Sequence, residues 1–60
     1  MNNYEIRDRA KRNGVYFWEI AKEIGIYPGT FTVWMRSELS GERRQKVESA
    51  IDAIIARRQR

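Results

Sequence analysis

Sixty residues make one domain, 1–60, and they carry twelve Lys and Arg against eight Asp and Glu, a net charge of +4. A chain this short buries only about 60% of the surface it exposes when unfolded, and it has no cysteine to supply a disulfide or a thiolate metal site. Histidine is absent too, so the commonest general base, the thiol nucleophile and most transition-metal ligands are missing, and no enzyme activity, metal or cofactor is expected.

Asn2 and Asn3 are good N-caps. Tyr4, Ile6 and Ala10 then give a partly amphipathic helix over about 3–12. Asn13-Gly14 predicts its stop, because both residue types tolerate the left-handed conformation that closes a helix. A second helix follows over about 16–24. With Ile20 inward, Phe17, Ala21 and Ile24 share its inner face, while Trp18 and Lys22 point away. Glu19 and Glu23 are one turn apart and read as a solvated face rather than a catalytic carboxylate pair. Gly25 ends the helix. Pro28 suits the first turn of a third helix over about 28–37, where its missing N–H costs nothing. Phe31 and Met35 face inward there, and Trp34 lies close enough to them in direction to pack on the core as well. Ser40 is placed to cap a fourth helix over about 41–57. Val47, Ala50, Ile51 and Ile54 follow the i, i+3, i+4, i+7 rule in it, with Ile55 beside them. Arg57, Arg58 and Arg60 read as a frayed basic tail.

Short loops between short helices predict a compact all-α four-helix domain. Its expected core is Ile6, Ala10, Val15, Phe17, Ile20, Ala21, Ile24, Phe31, Met35, Val47, Ile51 and Ile54. No apolar run is long enough to span a bilayer and no apolar leader follows Met1, so a soluble protein with no membrane partner is expected. So small a chain is also not expected to form a substrate cavity of about 300 Å3, and no small-molecule ligand is anticipated.

Ala21 and Gly25 stand four residues apart, Ile20, Ile24 and Ile26 surround them, and Phe31 comes six residues after the glycine. A small residue in one helix lets the next approach closely, and a glycine takes the turn that other residues resist. This spacing resembles the helix-turn-helix of the lambda-repressor-like domains, the Cro and repressor family. The longer run NGVYFWEIAKEIGIYPGTF is similar to short regulators of phages and mobile elements, and the resemblance extends from about Ile6 to about Ile55. It implies that the helix Phe17 to Ile24 crosses the DNA backbone and that 28–37 enters the major groove. Gly29, Thr32, Val33 and Arg36 are then the candidate base contacts: Gly29 for close backbone approach, Thr32 for a hydrogen bond, Val33 for a thymine methyl, Arg36 for a guanine edge or a phosphate. Trp18, Lys22, Thr30, Ser37, Arg43, Arg44 and Lys46 are the candidate phosphate contacts. The expected partners are double-stranded DNA and a second copy of the chain, meeting through Ile54 and Ile55, in the cytoplasm of a bacterial host.

Some features allow more than one role. Arg43, Arg44 and Lys46 oppose the dipole at the start of their helix, which suits a phosphate partner, but surface pairs such as Glu42 with Lys46 would equally account for them. Trp18 either folds onto a neighbouring helix or offers its indole to a phosphate or a protein. Pro28 to Met35 carries no charged side chain, and Tyr27, Pro28, Val33 and Trp34 stand where such regulators usually have polar or basic residues. Thr32 and Val33 could be inert surface, and the positive charge could serve solubility alone. The same frame therefore suits a repressor-like or excision-related DNA regulator, or a protein-binding antirepressor or inhibitor of a host or defence protein. A helical dimer with no ligand is the remaining option.

Overall fold

The chain folds as four helices joined by short connections: α1 Tyr4–Arg12, α2 Phe17–Ile24, α3 Pro28–Met35 and α4 Gly41–Arg58. The computed structural model describes residues 3–58, so Asn2 and Arg60 lie outside the described residues, among which there is no strand. No helix is long and apolar enough to cross a membrane. The helix limits agree with the periodicity except at the end of α3, which stops at Met35 rather than Ser37.

Local chemistry sets the helix ends. After α1, the Gly14 N–H bonds to the Lys11 carbonyl at 3.2 Å and the Val15 N–H to the Ala10 carbonyl at 2.8 Å. This is a Schellman ending, and Gly14 takes its left-handed residue at φ 66°. Asn13, expected to share that role, stays at φ −101°. At the start of α2 the Glu19 carboxylate accepts the Tyr16 N–H at 2.8 Å, an arrangement that satisfies a donor the helix leaves unpaired. Gly25 closes α2 at φ 93°, and the Ala21 carbonyl accepts both the Gly25 and Ile26 N–H groups, at 2.9 and 3.0 Å. Pro28 opens α3 in its first turn.

The core follows the helical period closely. Ile6, Ala10, Val15, Ile20, Ala21, Phe31, Met35, Val47, Ile51 and Ile54 are buried. Leu39 and Ala50 join them. Phe17 and Ile24, expected inside, are only partly buried and pack along its edge with Ile26, Trp34 and Ile55. Phe17 meets Phe31 edge to face, with ring centroids 5.3 Å apart. α2 packs on both α3 and α4 and so forms the centre of the assembly.

Two expectations need correction. Asn3 precedes α1 but its side chain forms no cap hydrogen bond. It is only 2% exposed. Its Nδ2 donates to the carbonyls of Met35 at 3.2 Å and Ser37 at 2.9 Å, and its Oδ1 accepts the Leu39 N–H at 2.7 Å. The end of α3 has carbonyls without helical partners, and Asn3 satisfies them from the far end of the sequence. Nor do Arg57 and Arg58 fray. Arg57 pairs with Glu23 and Arg58 with Glu19, and Arg58 also donates to the carbonyls of Asn13 at 3.2 Å and Gly14 at 2.7 Å. Glu19 and Glu23 thus lie at the surface as expected, and there each meets an arginine of α4.

Candidate nucleic-acid interface

With Phe31 and Met35 buried, α3 must present its opposite side to solvent. At 100° per residue that side is centred on Gly29 and Val33 and continued by Arg36 at the helix end, with Thr32 on one flank and Thr30 on the other. These five, and Ser37 in the bend that follows, are exposed. The residues expected to contact bases are therefore gathered on one outward face.

Their chemistry is sparse. Gly29 does not have a positive φ, and a Cβ built on it would meet nothing within 4 Å. The Thr32 hydroxyl donates to the Pro28 carbonyl at 3.0 Å, one turn back. Val33 is 57% exposed. Arg36 follows the last helical residue, and its backbone N–H bonds to the Val33 carbonyl at 3.2 Å. Ser37 is exposed at its side chain, while its carbonyl is held by Asn3. Tyr27, just before α3, is 82% exposed.

Around this face the cations divide into two groups. Arg9 pairs with Asp52, Arg12 with Asp8, Arg57 with Glu23 and Arg58 with Glu19. Arg44, a candidate phosphate contact, is held by Glu5 at 3.2 Å and Glu48 at 3.5 Å. Ion pairing accounts for Arg44, but with these partners rather than through a Glu42–Lys46 bridge, which does not form. Lys22, Arg43 and Lys46 have no carboxylate partner among the described residues. The Arg43 guanidinium lies 4.9 Å from the centroid of the Trp34 ring, a cation–π contact that holds it at the start of α4. Trp34 packs on the core edge as expected and also positions this arginine. Lys11, on α1, is likewise without a carboxylate. Arg7 donates to the Met35 carbonyl at 3.2 Å and stacks over Phe17.

Trp18 is 56% exposed, so no neighbouring helix covers it fully. It borders a groove shared with Lys22, Ile54 and Arg57. A second groove of about 570 Å3 runs between α2 and α4, lined by Glu23, Ile24, Lys46 and Ala50 among others. It exceeds the size expected for so short a chain, and it is an open surface depression. No group of three or more acidic side chains among the described residues is placed to hold a metal ion.

Glu19 titrates away from its ordinary value. The Tyr16 backbone N–H holds its carboxyl below the usual carboxylate range; desolvation opposes this, and the Arg58 hydrogen bond and the charges of Arg58 and Arg57 reinforce it.

Sequence reasoning missed Asn3 and Arg7, which both reach the Met35 carbonyl. No local pattern marks either, because the partner lies 32 or 28 residues away. No family model, curated protein or solved structure matches this chain.

Proposed function

We propose that this chain is a small DNA-binding regulator of helix-turn-helix type, repressor-like or excision-related, with α2 and α3 as the paired helices and α3 as the groove-entering element. The observation that carries this reading is the outward face of α3. Gly29, Val33 and Arg36 stand clear of the core, and Lys22 on α2 and Arg43 and Lys46 on α4 have no carboxylate partner among the described residues. Phosphate neutralisation by such cations supplies the sequence-independent part of affinity, and the α3 face supplies base contact. One module of this size buries too little surface for tight specific binding, so two copies on adjacent half-sites are expected. Ile54 is buried within the monomer, which removes it from the proposed dimer surface.

Binding to the DNA beside the gene and to a matched random duplex, measured across a salt series, tests this. Affinity should fall steeply with salt, and Arg36→Ala should weaken binding at least tenfold. Absence of binding at low salt, or affinity indifferent to salt, rejects the reading.

A second reading rests on the apolar exposure of Tyr27, Val33 and Trp18, which suits a protein partner as an antirepressor or inhibitor would require. A single stoichiometric protein partner, retained through nuclease and high salt and indifferent to Arg36→Ala, favours it.

A further inference from the structure

Resting on the DNA-binding reading, we infer that Asn3 is a positioning residue for Arg36: its buried amide fixes the direction in which Arg36 leaves the end of α3, and discrimination among bases by Arg36 depends on it.

Arg36 is the one charged side chain between Pro28 and Ser37, and it stands just past Met35, the last helical residue. At a helix end the regular hydrogen bonds stop, and the last carbonyls need other partners. α1 and α2 meet this need locally, with Gly14 and Gly25 at positive φ. None of the residues 28–40 has a positive φ. Arg36 keeps φ −71° and ψ −21°, values from which a helix could run on.

The stop comes from Asn3. In one further turn the Leu39 N–H would reach the Met35 carbonyl. The Asn3 amide stands between them instead: Oδ1 accepts the Leu39 N–H at 2.7 Å, and Nδ2 donates to the Met35 carbonyl at 3.2 Å. Nδ2 also donates to the Ser37 carbonyl at 2.9 Å. The carbonyls of both neighbours of Arg36 thus converge on one nitrogen atom. Two further bonds hold the same segment. Arg7 donates to the Met35 carbonyl at 3.2 Å, and the Asn3 N–H donates to the Glu38 carboxylate at 2.8 Å. Asn3 is 2% exposed, so its amide is shielded from competing water.

This rigidity bears on base reading. A guanidinium recognises a guanine edge through two hydrogen bonds, to O6 and N7, and both must align at once. A phosphate accepts from many directions. Loosening the backbone at Arg36 would therefore spare much of the general affinity for duplex and remove the choice among bases.

The test begins with a duplex selected from a random pool by the full chain. Each base pair is replaced in turn, and Arg36→Ala identifies the position that Arg36 senses. There the wild type should discriminate by about tenfold or more. Asn3→Gly removes the amide while keeping the φ of 60° accessible. It should lose most of the discrimination at that position and keep its affinity for random duplex within about threefold, since phosphate contacts survive. Added to Arg36→Ala, it should change nothing further there. Discrimination is a ratio of two affinities of one protein, so an unfolded fraction lowers both equally and cancels. Ile54→Ala, destabilised in the core, should accordingly discriminate like the wild type. Asn3→Asp keeps the acceptor for Leu39 and loses both donated bonds. It should behave as Asn3→Gly does, and it carries the test if Asn3→Gly does not fold.

Discrimination retained in a folded Asn3 variant overturns the inference. So does an equal loss in Ile54→Ala, which would trace the effect to general loosening, and so does an Arg36→Ala variant that still discriminates at every position. The DNA-binding reading survives all three. Failure to select any duplex overturns that reading itself, and the inference with it.

Discussion

Gly29 poses the sharpest question among individual residues. Three other glycines occupy positive φ and so have a conformational reason to be glycine. Gly29 has helical neighbours, open space around it and no positive φ. A glycine within a helix costs up to about 1 kcal/mol relative to alanine, somewhat less in the first turn. Gly29→Ala should therefore raise the thermal midpoint by a few degrees; on the proposed DNA-binding reading its added methyl should also weaken duplex binding, by holding the α3 backbone away from DNA. A lowered midpoint in a melting curve would show instead that the fold itself needs the glycine. Asn3 is the opposite case, a polar side chain with a full structural role. Its left-handed backbone at φ 60° is one that Asn tolerates better than most residues. From there its amide supplies donors to the end of α3 and an acceptor to Leu39. Leaving those buried groups unpaired would cost roughly 1–3 kcal/mol each.

Among elements, α2 depends on α4 through charge as well as packing. Glu19 caps the start of α2 by accepting the Tyr16 N–H and pairs across with Arg58, and Glu23 pairs with Arg57. Because the folded state holds the Glu19 carboxyl below its usual range, its contribution is fully present above the ordinary glutamate value. The contribution is lost as pH falls through the lowered folded value. In melting experiments at a series of pH values, Glu19→Gln should be less stable than the wild type near neutrality. The two should converge as the solution becomes strongly acidic. A gap that persists unchanged at low pH would mean that the carboxylate charge is not what matters. The helices themselves were legible from the sequence because apolar residues recur with the helical period, and the α3 face followed once Phe31 was set inward. Leu39 was not legible, since it sits alone in a connection with no period to reveal it. The fates of Arg43 and Arg44 could not be separated either. They are neighbours in sequence, but only Arg44 comes within reach of Glu5 on α1, and that depends on how the helices cross. For the same reason a string of terminal arginines read as a tail until α2 supplied carboxylates beside them.

At the scale of the whole molecule, the radius of gyration is 10.7 Å, close to the roughly 10 Å expected of a compact chain of this length. One core holds it together, and Ile54, 5% exposed, is part of that core. Ile54→Ala should destabilise the monomer by about 2–5 kcal/mol, a large fraction of what so small a domain possesses. The drop in thermal midpoint should be the same at low and high protein concentration. A wild-type midpoint that rises with concentration, and a variant midpoint that does not, would place Ile54 between two copies after all. The charge distribution has the same whole-molecule character. Local pairing neutralises several of the arginines on α1 and the end of α4, so the remaining positive field is carried by a smaller set that includes Lys22, Arg43 and Lys46. A steering field of this kind weakens with added salt.

The clasp between Arg58 and the corner at Asn13 and Gly14 spans 44 and 45 residues of sequence. That corner therefore closes only when segments far apart along the chain have met, a non-local contact whose loop must be closed before it returns any stability. In refolding followed by hydrogen exchange, the amides of the corner should gain protection together with the end of α4 and not ahead of it.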